Sequence, residues 1–178
     1  MENFKSKREL IDAFFHQADQ FASTNKFTSL LLINKILKLD PENVKAHERL
    51  TSLLRDLKYL DQAVKAAEIG LKIFDANKET QLKIKGNLLM KKAFAKLENG
   101  QTSGISSDFN SAYNLLLANF GPSDEDVKLV QQTIKDLPNL VNQYKVTFRF
   151  GFIFSECVMS RLKATVQRKQ KQKKWASF

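Results

Sequence analysis

The sequence predicts an all-α protein assembled from helical hairpins. Three observations carry that reading. Apolar residues recur at spacings of three and four through most of the chain, the period of a helix with one buried face. Only 6 Gly and 3 Pro occur in 178 residues, too few for a turn-dense sandwich or barrel. Triplets of large, small and large side chains also return after 33 and 35 residues, starting at Phe14, His47 and Leu82. A composition of 43% hydrophobic and 27% charged residues is that of a globular chain able to close a core without metal or disulfide.

Taken in order, residues 9–22 place Leu10, Phe14, Ala18 and Phe21 on one face, and Phe14 and Phe21 are expected in the core. Residues 28–39 repeat the pattern with Leu30, Ile33, Ile36, Leu37 and Leu39. Pro41 ends that run, because proline disfavours the α conformation of the residue before it. Residues 43–57 and 61–74 come next, then a longer stretch at 78–98 that stops at Asn99-Gly100, a left-handed terminator. Residues 100–107 read as a linker. A helix near 107–120 is halted by Gly121-Pro122. Ser123 then reads as the cap of a helix with Asp124, Glu125 and Asp126 at its positive end, closing near Asp136 before Leu137-Pro138. With the segment beyond Pro138 included, about eight or nine helices are expected.

Residues 146–154 support two readings. Val146, Phe148, Phe150, Phe152 and Phe154 alternate with a strand period, whereas Val141, Tyr144, Phe148, Phe152, Met159, Leu162 and Val166 fit a helical face. A strand would need a partner edge from another chain. Either way, Phe148–Phe154 is a candidate oligomerisation surface, since that much apolar area is expected to be covered.

The triplets are Phe14, Ala18, Phe21; His47, Thr51, Leu54; and Leu82, Gly86, Leu89. A second set lies 34 residues apart: Ser29, Ile33, Ile36 and Ala63, Ala67, Gly70. Small side chains let the two axes of a hairpin approach, and larger ones fill the groove against the next hairpin. This arrangement resembles the tetratricopeptide-repeat (TPR) family over about residues 10–98. Ala63 to Ile73 looks like the family's second helix, and Leu37-Lys38-Leu39-Asp40-Pro41-Glu42-Asn43 like its inter-repeat turn. The helices at 107–120 and 123–136 could complete a third repeat and begin a fourth, with Val127, Gln131 and Ile134 as a poor match to the triplet. The domain reading is therefore repeats over 1–99, a linker at 100–107, further helices packing on them over 108–160, and a tail at 161–178.

The resemblance implies a right-handed α-solenoid whose first helices line a concave groove. In the second repeat the groove positions would be Lys45, Glu48, Arg49, Ser52, Arg55 and Asp56, with Lys83 similarly placed in the third; in the first they are Phe15 and Asp19. Phe15 fits either groove or core. The implied ligand is a protein or peptide segment, acidic at one end and carrying an apolar anchor. The family's carboxylate clamp for chaperone tails would need a Lys and an Asn in the first helix and an Asn in the third. Here those positions are Phe15, Asp19 and Arg49, and Asp19 would repel the carboxylate. The clamp is broken.

Charge is concentrated at one end. The chain carries a formal +10. Residues 157–178 hold Arg161, Lys163, Arg168, Lys169, Lys171, Lys173 and Lys174 with no acid, whereas 1–156 hold 22 bases against 19 acids. The tail could neutralise nucleic-acid phosphates, act as a nuclear-import signal, lie on an anionic membrane through Trp175 and Phe178, or only solubilise.

No catalytic, metal or cofactor constellation is present in the sequence. His16 and His47 lie in different repeats, and His47 occupies a packing position, so a neutral core histidine is expected. Phosphate-loop, zinc-protease and nucleophile-elbow spacings do not occur. The single Cys157 excludes an intrachain disulfide and points to a reducing compartment. Lacking a leader-like or spanning apolar run, the chain is expected in the cytoplasm, or in the nucleus if the tail is an import signal. The expectation is a non-enzymatic TPR-type adaptor or scaffold; the alternative is an RNA- or ribonucleoprotein-associated protein that works through its tail.

Overall fold

The computed structural model describes residues 6–77 and 81–144, and their regular structure is helical throughout. Six helices come in order: α1 (Lys7–Phe21), α2 (Lys26–Leu39), α3 (Val44–Asp56), α4 (Leu60–Ala76), α5 (Leu82–Glu98) and α6 (Ile105–Phe120). A seventh, α7, occupies 125–144. The all-α expectation is met. No helix among the described residues is long and apolar enough to cross a membrane. The chain divides after Pro138 into two compact units; of the second, residues 139–144 are helical. The 146–154 segment, Cys157 and the basic tail lie outside the described residues.

Local chemistry sets the helix ends. Ser6, Asn25 and Asn43 each cap a helix, accepting from the backbone N–H of Glu9, Thr28 and Ala46 at 3.2, 3.1 and 3.0 Å. Such caps contribute about 1 kcal/mol each. At the end of α5, Gly100 turns left-handed at φ 71° and the Gln101 N–H donates to the Lys96 carbonyl at 3.0 Å, the paired closure that glycine favours. The end of α3 makes the same closure without glycine: Lys58 holds φ 65° while Tyr59 N–H donates to the Leu54 carbonyl at 2.8 Å.

Three antiparallel pairs form the body: α1 with α2, α3 with α4, and α5 with α6. The small residues of the triplets lie inside them. Ala18 is 1% exposed and Thr51 0%, and Gly86 lies against Leu116 of α6. Ser29 Oγ donates to the Ala18 carbonyl at 2.9 Å, and Thr51 Oγ1 to the His47 carbonyl at 2.8 Å, so both buried hydroxyls are satisfied within the hairpins. Ile33, Ile36, Ala63 and Ala67 are fully buried with them. His47 is buried, its Nε2 hydrogen-bonded to the Pro41 carbonyl at 2.9 Å, as expected of a core histidine. His16 is exposed and hydrogen-bonds Gln20 at 3.0 Å.

Five expectations are corrected. Phe21, expected in the core, is 40% exposed: the buried stripe of α1 is Ile11, Phe15 and Ala18, and Phe21 lies off it as the last residue of the helix. Helix α6 starts at Ile105 and buries that side chain to 1% exposure, so the linker is shorter than 100–107. Asp124 replaces Ser123 as the cap of α7, its Oδ1 accepting from the N–H groups of Asp126 and Val127 at 3.0 and 3.4 Å. The helix does not close at Asp136, since Leu137 and Pro138 are helical too; Pro138 is exposed, on the side where water can replace the hydrogen bond that proline omits. The fourth triplet also fails, because Gln131 is exposed and the buried stripe is Val127, Val130, Thr133 and Leu137.

Candidate functional site

A cavity of about 730 Å³ opens where the N-terminal ends of α1, α3 and α5 meet the C-terminal turn of α4. Each element presents it with a local consequence of its own sequence. The spacing of Ile11 and Phe15 puts both on the inner face of α1. The Asn43 cap starts α3 so that Val44 and Lys45 fall in its first turn. Phe74 arrives from α4 and Ile84 from the first turn of α5. Ile11, Phe15, Val44 and Phe74 are all less than a tenth exposed and form an apolar floor. The rim is charged: Lys7, Arg8 and Lys45 against Asp12, Asp40 and Glu42.

Lys45 spans floor and rim. Its ammonium lies 4.6 Å from the centroid of the Phe15 ring, a cation–π distance worth about 0.5–1 kcal/mol at an exposed position. Two of the rim acids already accept hydrogen bonds: Asp40 from Asn43 Nδ2 at 2.9 Å and Glu42 from Asn77 Nδ2 at 3.2 Å.

Along the rest of the first-helix surface, the expected basic row is paired with acids. Arg49 of α3 meets Asp19 of α1 at 3.3 Å. Glu48 pairs with Lys91 of α5. Arg55 reaches Glu98 of α5 at 3.6 Å and stacks 5.4 Å from the Phe94 ring. Ser52 turns back to the Glu48 carbonyl at 3.4 Å. Lys83 bridges Asp124 and Asp126 at 3.0 and 3.4 Å. Of the residues that sequence reasoning assigned to the groove, the fold thus brings Phe15 and Lys45 together at the cavity, while Arg49, Ser52, Arg55 and Lys83 stand outside its lining. It missed Lys7, Arg8, Val44, Phe74 and Ile84. Val44 and Ile84 had a signal, each being a branched apolar residue beside a lysine already singled out; Phe74 had none, since it comes from a second helix.

The Lys83–Asp124 contact has a pH signature. The ammonium's hydrogen bond holds the Asp124 carboxyl below the ordinary carboxylate range, and in turn the Lys83 ammonium is held above the ordinary lysine value. The stabilisation from Asp124 is present above its unfolded-state value of about 3.9 and is lost as the pH falls below it; that from Lys83 is present below about 10.4 and is lost as the pH rises further. Asp124→Asn keeps a capping oxygen but removes the charge. We expect the difference in melting temperature between wild type and D124N, measured from pH 7 to pH 3, to shrink in the acid range; a constant difference would show that the charge contributes nothing.

No protein-family model and no curated protein matches the chain. Among solved structures, it is similar to the N-terminal domain of stress-induced protein-1 (STI-1) from C. elegans, with a TM-score of 0.52 and 17% sequence identity, covering 69% of this chain and 95% of that one. At that identity the likeness concerns the fold: a TPR-like stack of helical hairpins.

Proposed function

We propose that the chain is a non-enzymatic protein-interaction module, a TPR-type adaptor or scaffold that binds a peptide segment against its first helices. The observation that supports this reading is the cavity between α1, α3 and α5, with its buried floor of Ile11, Phe15, Val44 and Phe74 under the Lys45 ammonium. A volume of about 730 Å³ falls within the roughly 300–1,000 Å³ of ligand clefts. An apolar floor accepts one bulky side chain, and the rim orients the backbone that carries it. Peptide-phage display with the full chain as bait tests the reading. Selected peptides should bind wild type and lose at least tenfold in affinity with Ile84→Asp, a half-buried lining residue, with an unchanged circular-dichroism spectrum as the control that the variant is folded. No selection above background, or binding indifferent to I84D, would remove the proposal.

The seven bases without an acid in residues 157–178 favour a second activity, sequence-blind binding of a polyanion through the tail. Deleting 161–178 should abolish retention of single-stranded RNA and leave peptide binding unchanged. If all seven bases contact phosphates, the logarithm of affinity should fall with the logarithm of salt at a slope of about −5. A slope near zero, or undiminished RNA binding after the deletion, would remove this second activity.

A further inference from the structure

We infer that the cavity is the seat of this chain's own leading segment, Met1-Glu2-Asn3-Phe4-Lys5: Phe4 folds back over the start of α1 onto the floor and competes there with any peptide. The competition rests on the peptide-binding reading above; the docking does not. The cavity calls for an apolar occupant without a preference of charge. Ile11, Phe15, Val44 and Phe74 form its floor. Around the rim three bases face three acids, and none of them is in an ion pair among the described residues. The helix ends cancel as well. Helices α1, α3 and α5 begin at the cavity, whereas α4 ends there and α2 runs into Asp40 of its rim, so positive and negative dipole ends meet. A strongly acidic or strongly basic ligand gains little from such a rim.

Residues 1–5 match this site on three counts. Their charged side chains, Glu2 and Lys5, cancel. Phe4 is their one aromatic ring, and a ring seated beside Phe15 adds an aromatic contact to the area it buries. The chain itself delivers them to the mouth. The described residues begin at Ser6, whose hydroxyl caps α1 by accepting from the Glu9 N–H at 3.2 Å, and Lys7 and Arg8 directly after it line the cavity. Two residues of backbone span at most about 7 Å, and Ile11 lies about 7.5 Å along the helix axis from Ser6. Turned back along α1, Phe4 comes level with Ile11. An apolar residue ahead of a cap often makes this return onto the first turns of its helix. Here the residue directly before the cap is Lys5, so Phe4 is the first such side chain upstream. A tether this short holds it at an effective concentration of about a millimolar, which an untethered peptide has to overcome.

Disulfide trapping on the full chain tests the docking. In a Cys157→Ser background, Phe4→Cys is combined in turn with three partners: Ile84→Cys in the cavity lining, Leu10→Cys, and Gln131→Cys on the exposed side of α7. Leu10 is the half-buried residue that an ordinary helix-entry contact would reach instead. Oxidation by glutathione disulfide is followed by mass spectrometry of tryptic peptides. F4C/I84C should close at least tenfold faster than F4C/Q131C, and faster than F4C/L10C. A rate no greater than that of F4C/Q131C, or faster closure on position 10, would overturn the inference. In the otherwise unaltered chain, Phe4→Ala should tighten a display-selected peptide at least threefold; an unchanged affinity would overturn the competition. Absence of any selected peptide removes the adaptor reading, while the trapping still decides the docking.

Discussion

Replacing Phe109 with alanine should lower the unfolding free energy by about 3–5 kcal/mol, the range for a large aromatic deleted from a core that collapses only in part. Phe109 is 0% exposed and among the largest fully buried side chains among the described residues. It reaches from α6 into α5, where its ring meets the Phe94 ring edge to face, at 4.9 Å between centroids and 80° between planes. Phe94 in turn carries the Arg55 guanidinium at 5.4 Å, so the loss propagates to the contact between α3 and α5. The matched control is Phe21→Ala: the side chain is 40% exposed and should cost no more than about 0.5–1 kcal/mol. Urea denaturation of both variants decides it. A cost for F109A near that of F21A would mean that α6 does not pack on α5 as described.

Gly86→Val should be the second large effect. A Cβ at this position would lie 2.5 Å from Leu116 Cδ2 and 2.6 Å from its Cγ, and Leu116 is itself 0% exposed, so it has nowhere to retreat. Overpacking of this kind costs about 1–3 kcal/mol, and valine adds χ1 crowding in the helix. Gly86→Ala tests the same contact more gently, since alanine recovers up to about 1 kcal/mol of helix propensity against the clash. The diagnostic variant is the double one. Leu116→Ala alone should cost about 2–5 kcal/mol through its cavity, but in G86A/L116A the new methyl enters that space, so the combined cost should fall short of the sum by at least about 0.5 kcal/mol. Strict additivity would show that the two residues do not touch.

The hairpins were readable in advance wherever one helix controls its own burial. Ala18, Thr51, Ser29, Ile33, Ala63 and Ala67 are all inside, as their size and repeat spacing required. The misjudged positions lie where a neighbour decides. Phe14 and Phe21 look equivalent in a periodic pattern, yet Phe14 packs half-buried against the core while Phe21 is exposed, and Phe15 is the ring that goes fully inside. Lys58 carries no terminator signal, and its left-handed φ of 65° is imposed by the closure of α3 on the turn into α4. Ser123 loses the cap to Asp124 because the latter also meets Lys83 from α5. In the candidate site, Phe15 and Lys45 were each named as groove positions from the sequence, while their contact with one another and its surroundings were not legible there.

By itself, the sequence determined that this chain folds as paired helices with small residues wedged between them, because period and side-chain size act within a turn or two of backbone. The tertiary structure alone decided which charges remain available. Asp19 and Arg49 are 30 residues apart, and Glu48 and Lys91 are 43; whether such residues meet depends on the azimuth of one helix against another. Each residue step turns that azimuth by about 100°, so a shift of a single position would carry these partners out of each other's reach.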